Sequence, residues 1–290
     1  MSAAFELALT KRSERTVRRR ARPIPGLGIT LSITLVVVSV LVVLPIAALV
    51  IASARAPWEA VERALSDPRT LSAIGLSLGA SAIAAVVATP IGLSIAWTLA
   101  RWEVPGRRVL DALVDVPFAL PTAVSGIALT ALCAPTGWVG ALFAPFGIEL
   151  AFTRTGIVIA LVFTGLPFVV RTVQPVIEDL PRELEEAAAS LGASPAQTFR
   201  RVLFPSIRPA LLAGATLAFA RALGEYGSVV FIAGNMPMRT EIAPLRVLAY
   251  LESYDYDGAA VVALALLIGS AGLLLAVNAL QKRMAKRAHA

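Results

Sequence analysis

An all-helical bundle with about six membrane-spanning helices, both termini on the cytoplasmic side, is the fold class this sequence predicts. Three observations predict it. Hydrophobic residues make up 57% of the 290 residues and charged ones only 16%, whereas soluble domains carry roughly 25% charged residues. The apolar residues fall in long uncharged runs, each long enough for a helix to cross about 30 Å of hydrocarbon. The basic residues are distributed unevenly between the segments that separate those runs.

Taken in order, the predicted spans are 27–54, 70–99, 108–133, 155–174, 206–233 and 258–281. They are expected to be helices because a segment in lipid must satisfy its own backbone hydrogen bonds. The first run, some 28 residues long, exceeds the 7–15 residues of a secretory signal core. It is therefore expected to be a retained anchor despite Ala52-Ser53-Ala54 at its end. Between Ala134 and Leu150, Pro135, Gly137, Gly140, Pro145 and Gly147 interrupt the apolar pattern, which predicts an external loop containing a short half-helix. With the N-terminus inside, nineteen Lys and Arg fall on inner segments and six on outer ones, the asymmetry that orients a bundle in a membrane. This use of the net charge of +7 leaves no soluble basic surface for nucleic acid. The expected organisation is a basic tail at 1–26, a first span with its external segment at 27–69, a transmembrane core at 70–281 and a short tail at 282–290.

The composition excludes other classes. One cysteine, Cys133, and one histidine, His289, permit neither an intramolecular disulfide nor a Cys/His metal cluster. Cys133 reads as a small apolar residue within a helix. No span carries paired carboxylates or a nucleophile beside a base, so a membrane enzyme is disfavoured.

The longest inner segment, within 175–205, is patterned helix, turn, helix. Pro181 and the acidic Glu183, Glu185 and Glu186 suit a helix N-terminus, and Gly192 ends that helix. Ser194 and Pro195 open a second, with Arg200 and Arg201 at its end and Pro205 expected to stop it at the membrane. Glu186, Ala187 and Ala188, then Gly192 and Pro205 at fixed spacing, resemble the EAA signature of the membrane subunits of ATP-binding-cassette importers. Val202 and Phe204 depart mildly, standing where Ile and Leu are usual. The resemblance implies that Glu185, Glu186, Ala187, Ala188, Gly192 and Pro205 couple the bundle to an ATPase. Since the chain has no Gly-x-x-x-x-Gly-Lys-Ser/Thr loop, it also implies that ATP is hydrolysed by two copies of a separate subunit and that no cofactor is bound here.

From about Leu76 to Gln281 the resemblance narrows. Phe219 to Asn235 is similar to the sulfate and molybdate permease group. Within that group Gly227-Ser228, Met236-Pro237, Thr240-Glu241-Ile242, Tyr254-Asp255-Tyr256, Asp115 to Thr122 and Val173-Gln174-Pro175 resemble the sulfate/thiosulfate permeases. This implies three partners beyond the ATPase: a second homologous permease forming a heterodimer, an external sulfate/thiosulfate-binding protein, and the lipid bilayer itself. A molybdate or tungstate permease is the alternative within the class. A secondary transporter driven by an ion gradient is the alternative outside it, and it would call for more carboxylates within the spans.

Arg221 and Glu225 stand one helical turn apart in the predicted fifth span. They satisfy each other as an i,i+4 ion pair that fixes packing, or Arg221 lines the route of a divalent oxyanion. Thr122, Ser125 and Gly126 either line the same route or satisfy backbone carbonyls and pack helices. The glycines at 75, 79, 92, 126, 165, 214, 224 and 227 suit close helix approach.

Overall fold

The computed structural model describes residues 27–103 and 105–288, with side chains over 28–103 and 105–279. The basic tail at 1–26, the side chains of Lys282 to Arg287 and His289 lie outside the described residues. Among those described there is no strand. The chain divides into two units, Met1–Ala48 and Leu49–Ala290. The first helix, α1 (Gly28–Arg55), is apolar along its whole length and contains a π-turn at Ser39–Val43.

The second unit holds the bundle. Its long helices are α3 (Pro68–Arg101), α7 (Arg154–Glu178), α9 (Pro195–Leu223) and α12 (Tyr256–Ala288). Between α3 and α7 lie α4 (Arg107–Ala119), α5 (Thr122–Cys133) and the short α6 (Gly140–Phe143). The inner segment carries α8 (Glu183–Ser190), and α9 is followed by α10 (Gly227–Ile232). Two short helices that hydropathy does not predict, α2 (Trp58–Ser66) and α11 (Ala243–Glu252), lie in the external segments.

The core forms around α7, more than half of whose apolar window is buried. Lipid tails are as apolar as leucine, so helices here gain from close packing more than from leaving water. The buried face of α3 shows this. Ala73, Ser77, Ala80, Ser81, Ala84, Ala88, Gly92 and Ala96 recur every three or four residues, and all are small. They let the backbones of α3, α7 and α9 approach. A Cβ at Gly92 would lie 2.7 Å from Val169 Cγ1, and one at Gly214 would lie 3.0 Å from Val169 Cα. Gly75, Gly79 and Gly224 have open space there instead, so the expectation of close approach fails at those three.

Two predicted spans are broken. The run at 108–133 is two helices, α4 and α5, bent by 114°. Leu120 precedes a proline and is extended, with φ −83° and ψ 135°, because the Pro121 ring disfavours the helical region for its neighbour. The run at 206–233 ends as a helix at Leu223 and resumes at Gly227. Conversely, Pro205 does not stop the second inner helix, which runs through into α9. A proline inside a helix loses one hydrogen bond and clashes with the preceding turn. Here the turn before Pro205 is widened into a π-turn at Phe199–Leu203, where the Phe204 N–H donates to the Phe199 carbonyl.

Several ion pairs lie at the two ends of the bundle. At the outer end Arg69 grips Glu241 through two bonds of 2.6 and 2.7 Å. Arg246 donates to Asp67 at 2.6 Å and lies 4.2 Å from the Tyr250 ring centre. At the inner end Arg107 meets Glu178 and Arg101 meets Glu185, both at 3.2 Å. Burial alone would raise the Asp67 carboxyl, but the Arg69 backbone N–H, the Arg246 guanidinium and the Thr70 hydroxyl together hold it below its ordinary value. A depressed carboxylate contributes stability above its unfolded pKa, about 3.9, and loses it as pH falls through the folded value. The Asp67–Arg246 clasp should therefore hold at neutral pH and weaken only below about pH 4, a loss readable in melting curves of the detergent-solubilised protein from pH 7 to 3. Glu241 is 3% exposed, so Arg69→Gln strands a buried carboxylate and should cost about 3 kcal/mol in the same assay at pH 7.

Candidate coupling and translocation site

The inner hairpin is built by local rules. Helix α8 begins at Glu183, two residues beyond Pro181, and places Glu183, Glu185 and Glu186 in its first turn, where they complement the helix dipole. Ala188 is buried beneath the hairpin while Glu186 and Ala187 face outward. Gly192 has φ +78°, the left-handed conformation that glycine adopts without a Cβ penalty at the end of a helix. Ser194 and Gln197 then form a reciprocal capping box: the Gln197 N–H donates to Ser194 Oγ at 3.4 Å, and the Ser194 N–H to Gln197 Oε1 at 2.8 Å. Pro205 sits in the first turn after the π-turn. Five of the six predicted coupling residues, from Glu185 to Gly192, thus lie on or directly after α8, and the sixth lies in the helix that carries the hairpin into the membrane.

The second cluster lies where α5 and α10 begin. Arg221 closes the last turn of α9 and pairs with Glu225 at 2.6 Å, so the i,i+4 partnership read from the sequence forms, but across the end of a helix. Glu225 is 2% exposed. Its Oε2 meets Arg221, and its Oε1 accepts from the Ser228 N–H at 3.0 Å and the Ser228 hydroxyl at 2.9 Å. The carboxylate therefore satisfies a donor that α10 leaves without an intrahelical partner. Each half-helix supplies a glycine to the contact between them. A Cβ at Gly227 would collide with Thr122 Oγ1, and one at Gly126 would lie 2.5 Å from the Ser228 carbonyl. Ser125 is buried, and its hydroxyl lies 3.4 Å from the Pro121 carbonyl, which favours the backbone-satisfying reading for that residue. The two helix breaks thus join Arg221 to Glu225 and set Thr122 and Gly126 of α5 against Gly227 and Ser228, the serine that binds Glu225.

A third cluster escaped the sequence reading. Arg171 of α7 donates to Asp115 at 2.9 and 2.7 Å and to Asp111 at 2.6 Å, tying α4 to α7. The expectation that no span carries paired carboxylates overlooked the signal, the i,i+4 spacing of Asp111 and Asp115 within the predicted span 108–133, which puts both on one helix face. Among the described residues no group of His, Cys, Asp and Glu could hold a metal ion.

Arg221→Gln should leave Glu225 buried without its counter-charge and cost about 3 kcal/mol. The double change Arg221→Gln/Glu225→Gln should recover at least half of that loss. A melting-temperature double-mutant cycle in detergent measures both; additive losses would mean the pair is not coupled.

Comparison with known proteins agrees with this architecture. The family described as "Binding-protein-dependent transport system inner membrane component" matches residues 88–289. The "Probable sulfate transport system permease protein cysT" of Nephroselmis olivacea is 48% identical over 250 residues, covering 86% of this chain and 88% of its own. The "Sulfate transport system permease protein CysT" of Salmonella typhimurium is 42% identical over 266 residues, covering 92% and 96%. The fold is similar to that of a chain in the crystal structure of a bacterial ABC transporter involved in the import of alginate, with a TM-score of 0.73 at 16% identity over 89% of this chain and 95% of that one. This chain belongs to the family of binding-protein-dependent transport system inner membrane components, as a multi-pass membrane permease whose relatives include the CysT sulfate permeases.

Proposed function

We propose that the chain is the permease subunit of an ATP-driven sulfate/thiosulfate importer, passing an oxyanion delivered by an external binding protein to the cytoplasm by alternating access. The observation that carries the substrate is the 42–48% identity to sulfate permeases over most of both chains. A partner ATPase, present in two copies in the importer, engages the hairpin through Glu185, Glu186, Ala187, Ala188 and Gly192. A second, homologous permease completes the pathway. The chain is not itself an enzyme. The small side chains of Ala187 and Ala188 let α8 seat closely on a partner surface. From there α9 runs as one helix through Pro205 to Arg221, so that displacement of the hairpin reaches the membrane interior. The permease core at 70–281 carries this machinery.

In the pathway reading, Arg221 faces the passing anion while Glu225 moderates its charge, with Thr122 and Ser125 beside them. Uptake of radiolabelled sulfate in a strain lacking this gene tests the whole assignment. Wild type should restore uptake and a modest excess of molybdate should not compete, whereas effective competition would favour the molybdate or tungstate reading. Glu186→Lys should abolish uptake with the chain still present in the membrane. The stabilised pair Arg221→Gln/Glu225→Gln should reduce uptake at least about tenfold if Arg221 lines the route, the scale expected from losing one charge-assisted contact of about 1.5–3 kcal/mol. Unchanged uptake would remove Arg221 from the route and leave the coupling assignment standing.

A further inference from the structure

The break between α9 and α10 has a closed side and an open one. Ala222, Leu223, Ser228 and Val229 are buried, and Glu225 turns inward among them, toward Ser81, Leu161 and Ile242. The groups that stay exposed are Arg221, Gly224 and Tyr226. A Cβ at Gly224 would meet nothing within 4 Å. Tyr226 stands just outside α10 in a non-helical conformation, φ −120° and ψ −52°, and its carbonyl accepts the Val230 N–H at 2.9 Å. The backbone is thereby fixed while the ring, with the residue 39% exposed, is left on the open side. The phenol hydroxyl has no hydrogen-bond partner among the described residues.

Tyrosines are common at the membrane boundary, where the hydroxyl meets water. Tyr226 is set back from it: the six residues of α10, about 9 Å of rise, and then the outer loop to the Glu241–Arg69 pair follow it. Against lipid its hydroxyl would go unsatisfied, and polar groups at such depth face a watery cavity or the bundle interior. The charge pattern says what such water carries. The open side presents donors, the Arg221 guanidinium and the Tyr226 hydroxyl, whereas the carboxylate of Glu225 is buried with both oxygens engaged. A passing cation finds no free carboxylate here. A tetrahedral dianion such as sulfate, which accepts hydrogen bonds and has no proton to give, matches both exposed donors. We propose that Tyr226 lines the anion route and donates from its phenol hydroxyl to the passing oxyanion, sharing it with Arg221. The inference rests on the permease reading in which Arg221 lies on that route. A neutral donor adds a contact without adding charge, so it guides the anion without trapping it.

Tyr226→Phe keeps the ring and removes only the hydroxyl. In the strain lacking this gene it should lower sulfate uptake about tenfold, the scale of losing one hydrogen bond to a charged group. The melting temperature in detergent should match wild type, because the hydroxyl holds nothing in the fold. Water access is measured separately. The one native thiol, Cys133, is buried and is removed in Cys133→Ala/Tyr226→Cys. In energised vesicles of both orientations that carry the whole importer, this variant should react with an anionic, membrane-impermeant thiosulfonate at least about tenfold faster than Cys133→Ala/Val86→Cys, since only a hydrated thiol ionises readily. Val86 is 72% exposed in an apolar stretch of α3. Unchanged uptake by Tyr226→Phe, or a loss of uptake that comes with a lowered melting temperature, would overturn the inference. Labelling no faster than at Val86 would place the ring against lipid or a neighbouring chain and overturn it too. Failure of the wild-type chain to restore sulfate uptake would remove the substrate reading itself, and the inference with it.

Discussion

Lipid supplies no hydrogen-bond partners, so every place where a helix of this bundle breaks must bring polar groups of its own. That constraint organises the interior. At the end of α9 the break is served by Glu225, whose two oxygens meet a guanidinium, a backbone N–H and a hydroxyl. At Leu120–Pro121, the proline has no N–H to satisfy and Ser125 lies above its carbonyl. Because both breaks are furnished in this way, they can sit within the membrane region, and glycines at 126 and 227 let the two restarted helices touch.

The same constraint explains where the bundle stays unbroken. Pro205 would ordinarily end a helix, yet the π-turn before it keeps α9 continuous for 29 residues, about 43 Å at 1.5 Å per residue. Its lower end is fixed by the Ser194–Gln197 capping box and its upper end by the Arg221–Glu225 pair. A stiff element with a polar anchor at each end transmits displacement instead of absorbing it. The bend at α4–α5 has no such continuity, and the Arg171 cluster holds its inner half against α7. On the proposed reading, the first element carries motion and the second is a point about which the path can change shape.

What the sequence made legible follows from what hydropathy and spacing measure. Of the four long helices of the second unit, α3 and α7 lie within four residues of their predicted bounds and α12 begins two residues before its own, because twenty apolar residues in lipid have little alternative to a helix; α9 begins and ends some ten residues before the predicted 206–233. The hairpin was legible because capping and glycine rules act over three or four residues. The breaks at Leu120 and Gly224 were not, because the apolar run continues across them. Whether a proline bends, stops or is absorbed by a helix depends on neighbouring packing: Pro121 bends one, while Pro205 is absorbed in another. The Arg171 cluster and the bond from Arg101 to the Leu180 carbonyl join residues some 60 to 80 positions apart, a distance no local pattern encodes.

On the proposed reading, the pairing of Arg221 also bears on transport itself. A conducting site must attract its ion enough to admit it and release it readily. A dianion facing an uncompensated, desolvated guanidinium would be held, since charge in a low dielectric interacts strongly. Glu225, fixed by Ser228, cancels most of that attraction while leaving Arg221 35% exposed with donors to spare. If Arg221 lines the proposed route, this arrangement favours passage over storage. On the proposed reading, in which Arg221 lines the route of an anion handed over by a binding protein, a weak, half-neutralised cation is the chemically consistent design, and a stronger one would slow release to the cytoplasm.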